Sequence, residues 1–169
     1  VTEPVAPQVL SLIQSQLGRT PRGVVAVAHR CPCGAPDVVQ TLPRLDDGTP
    51  FPTTFYVTCP RLTGALSTLE SAGVMAQMTR RLGVDETLSA AYRSAHEDYL
   101  ARRAVLGEVP EIAGVSAGGM PTRVKCLHVL AGHSLAAGRG VNPLGDETLE
   151  ALPHWWSSAP CIDVEEPSP

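Results

Sequence analysis

The sequence predicts an α+β fold, with a small early β-sheet of about three strands packed against a helical C-terminal part. Two patterns point there. Short β-branched runs cluster in the first sixty residues, and apolar residues recur at helical spacing after Pro60. The chain has 169 residues, 43% of them apolar and 18% charged, which supplies one core and one domain. The domain is expected over 1–160. Residues 161–169 read as a polar, Pro-rich, disordered tail.

Residues 7–18 form the first expected helix, with Val9, Leu10, Ile13 and Leu17 on one side and Gly18 at its end. Gly23–Ala28 is an apolar valine-rich run and reads as a buried strand, delivering His29, Arg30 and Cys31 at its exit. Cys31-Pro-Cys33-Gly34 must turn. Val38–Leu42 is a second strand. Asp46-Asp47-Gly48-Thr49-Pro50 is a turn signal, and its carboxylates read as turn formers before acid–base groups. Thr53–Thr58 is the third strand, ending at Cys59-Pro60.

Pro60 suits a first helical turn, and Leu62, Leu66 and Leu69 carry that helix to Ala72. Gly73 stops or interrupts it before Val74–Leu82. Asp85 reads as the N-cap of a helix marked by Leu88, Tyr92, Ala95 and Tyr99, with Arg93 and Glu97 spaced to pair. Residues 107–119 are Gly-rich loop. Thr122 is placed to cap a helix from Arg123 to about Ala137, and Asp146–Leu152 to form a last short one.

Net charge is −4 and aromatics make up only 4%, which argues against nucleic acid and anionic membranes as partners. The longest apolar run falls short of a membrane span. The opening Val1-Thr2-Glu3-Pro4 lacks a signal-peptide pattern, so a cytoplasmic setting is expected. Five cysteines, an odd number, fit that setting better than a disulfide scaffold.

Those cysteines carry the chemistry. Cys31 and Cys33 follow one strand, Cys59 follows another, and Cys126 falls in the expected first turns of a helix beside Lys125, the only lysine. Thiolates brought from separate element ends are how metal centres are assembled, so an iron–sulfur cluster or zinc is the expected cofactor. Buried packing thiols and a redox or nucleophilic Cys126 are the competing roles. Cys161, near the tail, reads as a bystander. On a helix from Arg123, Cys126 and His128 point apart, so sharing an ion requires a later helix start. His29 reads as a group behind the Cys31 turn, His96 as surface, and His133 as a proton donor or a satisfied core histidine. The loop Gly114–Lys125 leads into Arg123 and Lys125 as an anion site would, but it lacks the P-loop pattern, so an ordinary flexible loop before a capped helix is the favoured reading.

Three stretches resemble the bacterial domain of unknown function 501. They are His29-Arg-Cys-Pro-Cys-Gly-Ala-Pro36, Leu45–Pro60 with its Asp-Asp-Gly-Thr-Pro, and Val124-Lys-Cys-Leu-His-Val-Leu-Ala-Gly-His133. Asn142-Pro-Leu-Gly145 is also similar to it. The resemblance implies a cytoplasmic bacterial protein of the high-GC Gram-positives, often encoded near enolase, a division-septum protein and an exopolyphosphatase-like enzyme. It also implies that Cys31, Cys59, Cys126, His128 and His133 are recurrent polar positions, with Cys33 less firm. That leaves three thiolates and an open coordination position.

The leading expectation is a metal held by Cys31, Cys59 and Cys126 and completed or flanked by Cys33 or His128. Lys125 and His133 would act catalytically on a small anionic ligand or a proton. Two other classes stand beside it: a non-enzymatic interaction module linked to cell division, and a thiol enzyme using Cys126.

Overall fold

The computed structural model describes residues 3–162. Sheet and helices follow the predicted α+β order. Strands β2 (Val24–Arg30), β3 (Pro36–Thr41) and β4 (Phe55–Val57) form an antiparallel meander, and a two-residue strand β1 (Glu3–Pro4) pairs along the outer edge of β2. The meander runs β2 and β4 in the same direction. Their C-terminal ends therefore lie at one end of the sheet, beside the β2–β3 turn. Thr58 N–H donates to the Asp37 carbonyl at 2.9 Å and fixes that juxtaposition.

Helix α1 (Pro7–Leu17) ends on Gly18 at φ 66°, the left-handed cap its sequence predicts. Helix α2 (Pro60–Ser71) starts on the predicted proline, with Cys59 as N-cap. Gly73 separates it from α3 (Val74–Leu82) and adopts φ 80°. Asp85 caps α4 (Glu86–Ala104) by accepting from Leu88 N–H at 2.9 Å. On α4 the ion pair four residues apart is Asp98–Arg102, not Arg93–Glu97.

Several boundaries differ from expectation: β3 starts two residues earlier than predicted, at Pro36, and β4 two residues later, at Phe55. β2 runs two residues further, which puts His29 and Arg30 inside the strand. Helix α6 spans Pro143–Ala151, three residues earlier than predicted at its start, because the Asn142 side chain accepts from Gly145 N–H. Helix α5 spans Leu127–Ala137, with Cys126 as its N-cap. Thr122 caps nothing here. The loop before α5 closes on itself, as Lys125 N–H donates to the Gly118 carbonyl at 2.7 Å and Arg123 N–H to Gly119 at 3.1 Å. Those bonds hold the segment in a closed loop ahead of the helix and occupy amides that an anion would need.

Helix α5 is buried along most of its length and lies against the sheet and α6. Phe55, Tyr99 and His133 form an aromatic cluster there, with Tyr99 edge-on to His133 at 5.1 Å. The Tyr99 hydroxyl accepts from Thr54 N–H at 2.7 Å. Arg103 is buried and donates to the carbonyls of Pro52 and Ile112, tying the loop after α4 to the sheet. Asp47 forms the predicted turn, accepting from Thr49 N–H and pairing with Arg22.

Candidate metal centres

The β2–β3 turn is short and tightly bonded. Cys31 N–H donates to Ala35, Gly34 N–H donates to Cys31, and Gly34 takes φ 90°, which Gly alone adopts cheaply. This geometry turns Cys31 and Cys33 to the same side. The C-terminal segment crosses to meet them, anchored by an Arg61–Ser158 hydrogen bond at 2.9 Å and by Trp155 and Trp156 packed against the core. It brings Cys161 to Cys31 with an Sγ–Sγ distance of 3.6 Å. The sulfurs of Cys31, Cys33 and Cys161 all lie within 4.8 Å of one another. Cys31 and Cys161 are buried, and Cys33 is the more open. Cys59, fully buried, interacts with Cys161 from the α2 N-cap but lies outside that 4.8 Å group.

The three thiols are not equivalent. Burial raises all of them. At Cys33 it is outweighed by the backbone N–H groups of Cys161 and Ala35, with help from the other two thiols, so its pKa falls below the ordinary thiol range. At Cys31 burial prevails over the Cys33 N–H. Cys161 is pushed up strongly, by burial first and then by the sulfurs of Cys31, Cys59 and Cys33. One sulfur is therefore prepared to carry charge, with two thiols beside it.

A second constellation forms around the start of α5. The ligand atoms of Glu70, Cys126 and His128 lie within 4.8 Å of one another. Glu70 is near the end of α2, and its Oε1 accepts from Leu127 N–H at 2.7 Å, an anion at a helix N-terminus. His128 Nδ1 is 3.1 Å from the same Oε1, and its Nε2 is 3.3 Å from the Thr63 carbonyl. The late start of α5 makes this meeting possible: Cys126 precedes the helix and can swing towards His128. In the metal-free chain the Cys126 sulfur, and less strongly Glu70, outweigh burial and push His128 up to about 9.

Of the residues singled out in the sequence, Cys31 and Cys33 meet Cys161, Cys59 flanks that group, and Cys126 and His128 meet Glu70. Cys126 does not join the other thiols. The bystander reading of Cys161 is corrected, since its sulfur completes the first group. Residues 163–169 of the expected tail lie outside the described residues, whereas Cys161 is buried.

Lys125 is exposed on the stretch before α5 rather than in its first turn. His133 is fully buried away from both groups. Its Nε2–H donates to Asp98 at 2.8 Å, and the Asn142 amide donates to its Nδ1 at 3.2 Å. These bonds hold a neutral imidazole, and burial lowers its pKa. Its place is that of a satisfied core histidine. His96 is half-buried on Ser116, and His29 bonds the buried Asp37 at 2.7 Å.

Residues 27–150 match a family model described as a protein of unknown function, DUF501. The chain belongs to the DUF501 family. Neither a curated protein nor a solved structure matches it. The matched span of this DUF501 protein contains Glu70, Cys126 and His128, as well as Cys31, Cys33 and Cys59, while Cys161 lies beyond it. Among the described residues no helix is long and apolar enough to cross a membrane.

Proposed function

We propose that this DUF501 protein binds a single zinc-class ion at Cys31, Cys33 and Cys161, with Cys59 the fourth sulfur in reach. The observation that carries this reading is the sulfur spacing. Tetrahedral zinc with bonds of ~2.3 Å has sulfur–sulfur edges of ~3.8 Å. Cys31 and Cys161 stand at 3.6 Å, and Cys33 is within 4.8 Å of both. A cluster places iron and sulfide between its cysteines and so needs a wider cage, which makes a single ion the better fit. Backbone N–H groups aimed at Cys33 and Cys31 also favour thiolates bound to a cation.

An all-sulfur site of this kind is closed and structural. It would staple the C-terminal segment to the β2–β3 turn and the start of α2, much as a disulfide does in an oxidising compartment. Such an ion suits a reducing, cytoplasmic setting.

The test is elemental analysis of anaerobically purified wild-type protein and Cys33→Ser, with acid-labile sulfide measured alongside. The expected result is one equivalent of zinc fewer in the variant than in wild type. Iron with sulfide would replace the single ion by a cluster. Metal content unchanged in Cys33→Ser would overturn the proposal.

A further inference from the structure

We infer that Glu70, Cys126 and His128 form a second, independent site for a divalent transition metal of the zinc class, of the three-ligand type that leaves a fourth position for a small ligand. The inference does not rest on the all-sulfur site and stands if that site fails.

The argument starts from lone pairs. A thiolate sulfur, a carboxylate oxygen and an imidazole nitrogen converge within 4.8 Å, and all three are electron-pair donors. The nearby donor that serves them is Leu127 N–H, which is spent on Glu70 Oε1. His128 Nδ1 faces that same oxygen at 3.1 Å. In the metal-free chain a proton on Nδ1 bridges this pair as a hydrogen bond, and a metal ion held by the three groups would take that proton's place. Cys126 Sγ lies in the same group, so an ion there would gain a third electron-pair donor.

The surroundings match those of a bound metal. His128 Nε2 lies 3.3 Å from the Thr63 carbonyl, an acceptor only, so this nitrogen donates there and Nδ1 is the one that can exchange its proton for a metal. Metal-ligating histidines are held in this way, with the far N–H on a carbonyl or carboxylate. Glu70 is held in turn by the α5 backbone, so two of the three ligands already have supporting bonds.

The donor set selects the ion. One sulfur, one nitrogen and one oxygen suit zinc, cobalt or iron(II), whereas calcium and magnesium require oxygens. His128 and Glu70 side chains are each 24% exposed, so the site is reachable from solvent, unlike Cys31 and Cys161. A mixed three-ligand set with access is the pattern of catalytic rather than structural zinc. The fourth ligand would be water or a small anion, and the bound ion would act on it as a Lewis acid.

The experiment loads the full chain with Co²⁺, whose spectrum counts the thiolates on the ion, in four proteins. These are wild type, Cys33→Ser, Cys33→Ser with His128→Gln, and Cys33→Ser with Glu70→Gln. Cys33→Ser is expected to retain one equivalent with the charge-transfer intensity of a single thiolate. Either second substitution is expected to weaken that binding at least tenfold. Glu70→Gln keeps an oxygen for Leu127 N–H, and melting curves of all four proteins verify folding. If Cys33→Ser binds no Co²⁺, or if both double variants bind it as tightly as Cys33→Ser, the inference is overturned. If wild type binds one equivalent that Cys33→Ser spares and Cys33→Ser with His128→Gln loses, this site stands and the all-sulfur site falls.

Discussion

Gly145→Ala should destabilise this protein even though alanine is the better helix former. Gly145 lies in the first turn of α6, where α6 meets α5. A Cβ there would overlap the Leu130 carbonyl oxygen and Ser134 Oγ, and would stand 2.9 Å from the Leu130 carbonyl carbon. Two of these three atoms are backbone, so no rotamer change relieves them and the helices must separate. Overpacking of this kind costs ~1–3 kcal/mol, and a clash with backbone belongs at the upper end. Helix propensity returns at most ~1 kcal/mol. The net loss is about 2 kcal/mol, or a fall in Tm of ~4–8 °C for a domain of this size. Gly64, in the middle of α2, is the control, because a Cβ there meets nothing within 4 Å. Gly64→Ala should gain ~0.5–1 kcal/mol. Calorimetry on the two variants gives opposite signs if the close approach of α5 and α6 is real. A Gly145→Ala protein that melts at or above the wild-type temperature would refute the packing argument.

Acid should weaken the fold through the His133 environment. The His133 pKa is lowered, by burial first, with Asp98 and Asp146 opposing and Arg102 assisting. The unfolded chain therefore takes up protons first, so this stability is fully present above pH ~6.5 and is lost as pH falls. Asp98, held low by Arg102 and His133 against the effect of burial, acts in the same direction at lower pH. Urea midpoints between pH 7 and 5 should fall in the wild type and flatten in His133→Gln, and equal slopes would assign the titration elsewhere. Removing residues from 160 onward takes away Cys161 and should weaken zinc binding at least tenfold in a chelator competition, while far-UV circular dichroism stays unchanged.

Much of the sheet and most of the helices were legible because their causes are local. Valine-rich and β-branched runs announce strands, Pro60 and Asp85 start helices, and Gly18 and Gly73 end or divide them. The start of α5 was not legible. The backbone bonds that hold residues 118–126 out of the helix depend on how the loop folds on itself, and no propensity records that. The same loop decides where Cys126 points, which is why a helix from Arg123 separates Cys126 and His128 while the actual chain joins them.

The sequence by itself determined which chemistry is available: five thiols, the order of strands and helices, and the breaks that leave Cys31, Cys33 and Cys59 at element ends. Only the tertiary structure decided how that chemistry is grouped. It carries Cys161 back over the start of α2 to the β2–β3 turn, assigns Cys126 to His128 rather than to the other thiols, and adds Glu70, which no sequence pattern singled out. It also places His133 in the core. The physical reason is that a metal-type site depends on distances of a few ångströms between residues far apart in the chain. Local conformational preference fixes the elements, while the docking of one element on another sets those distances.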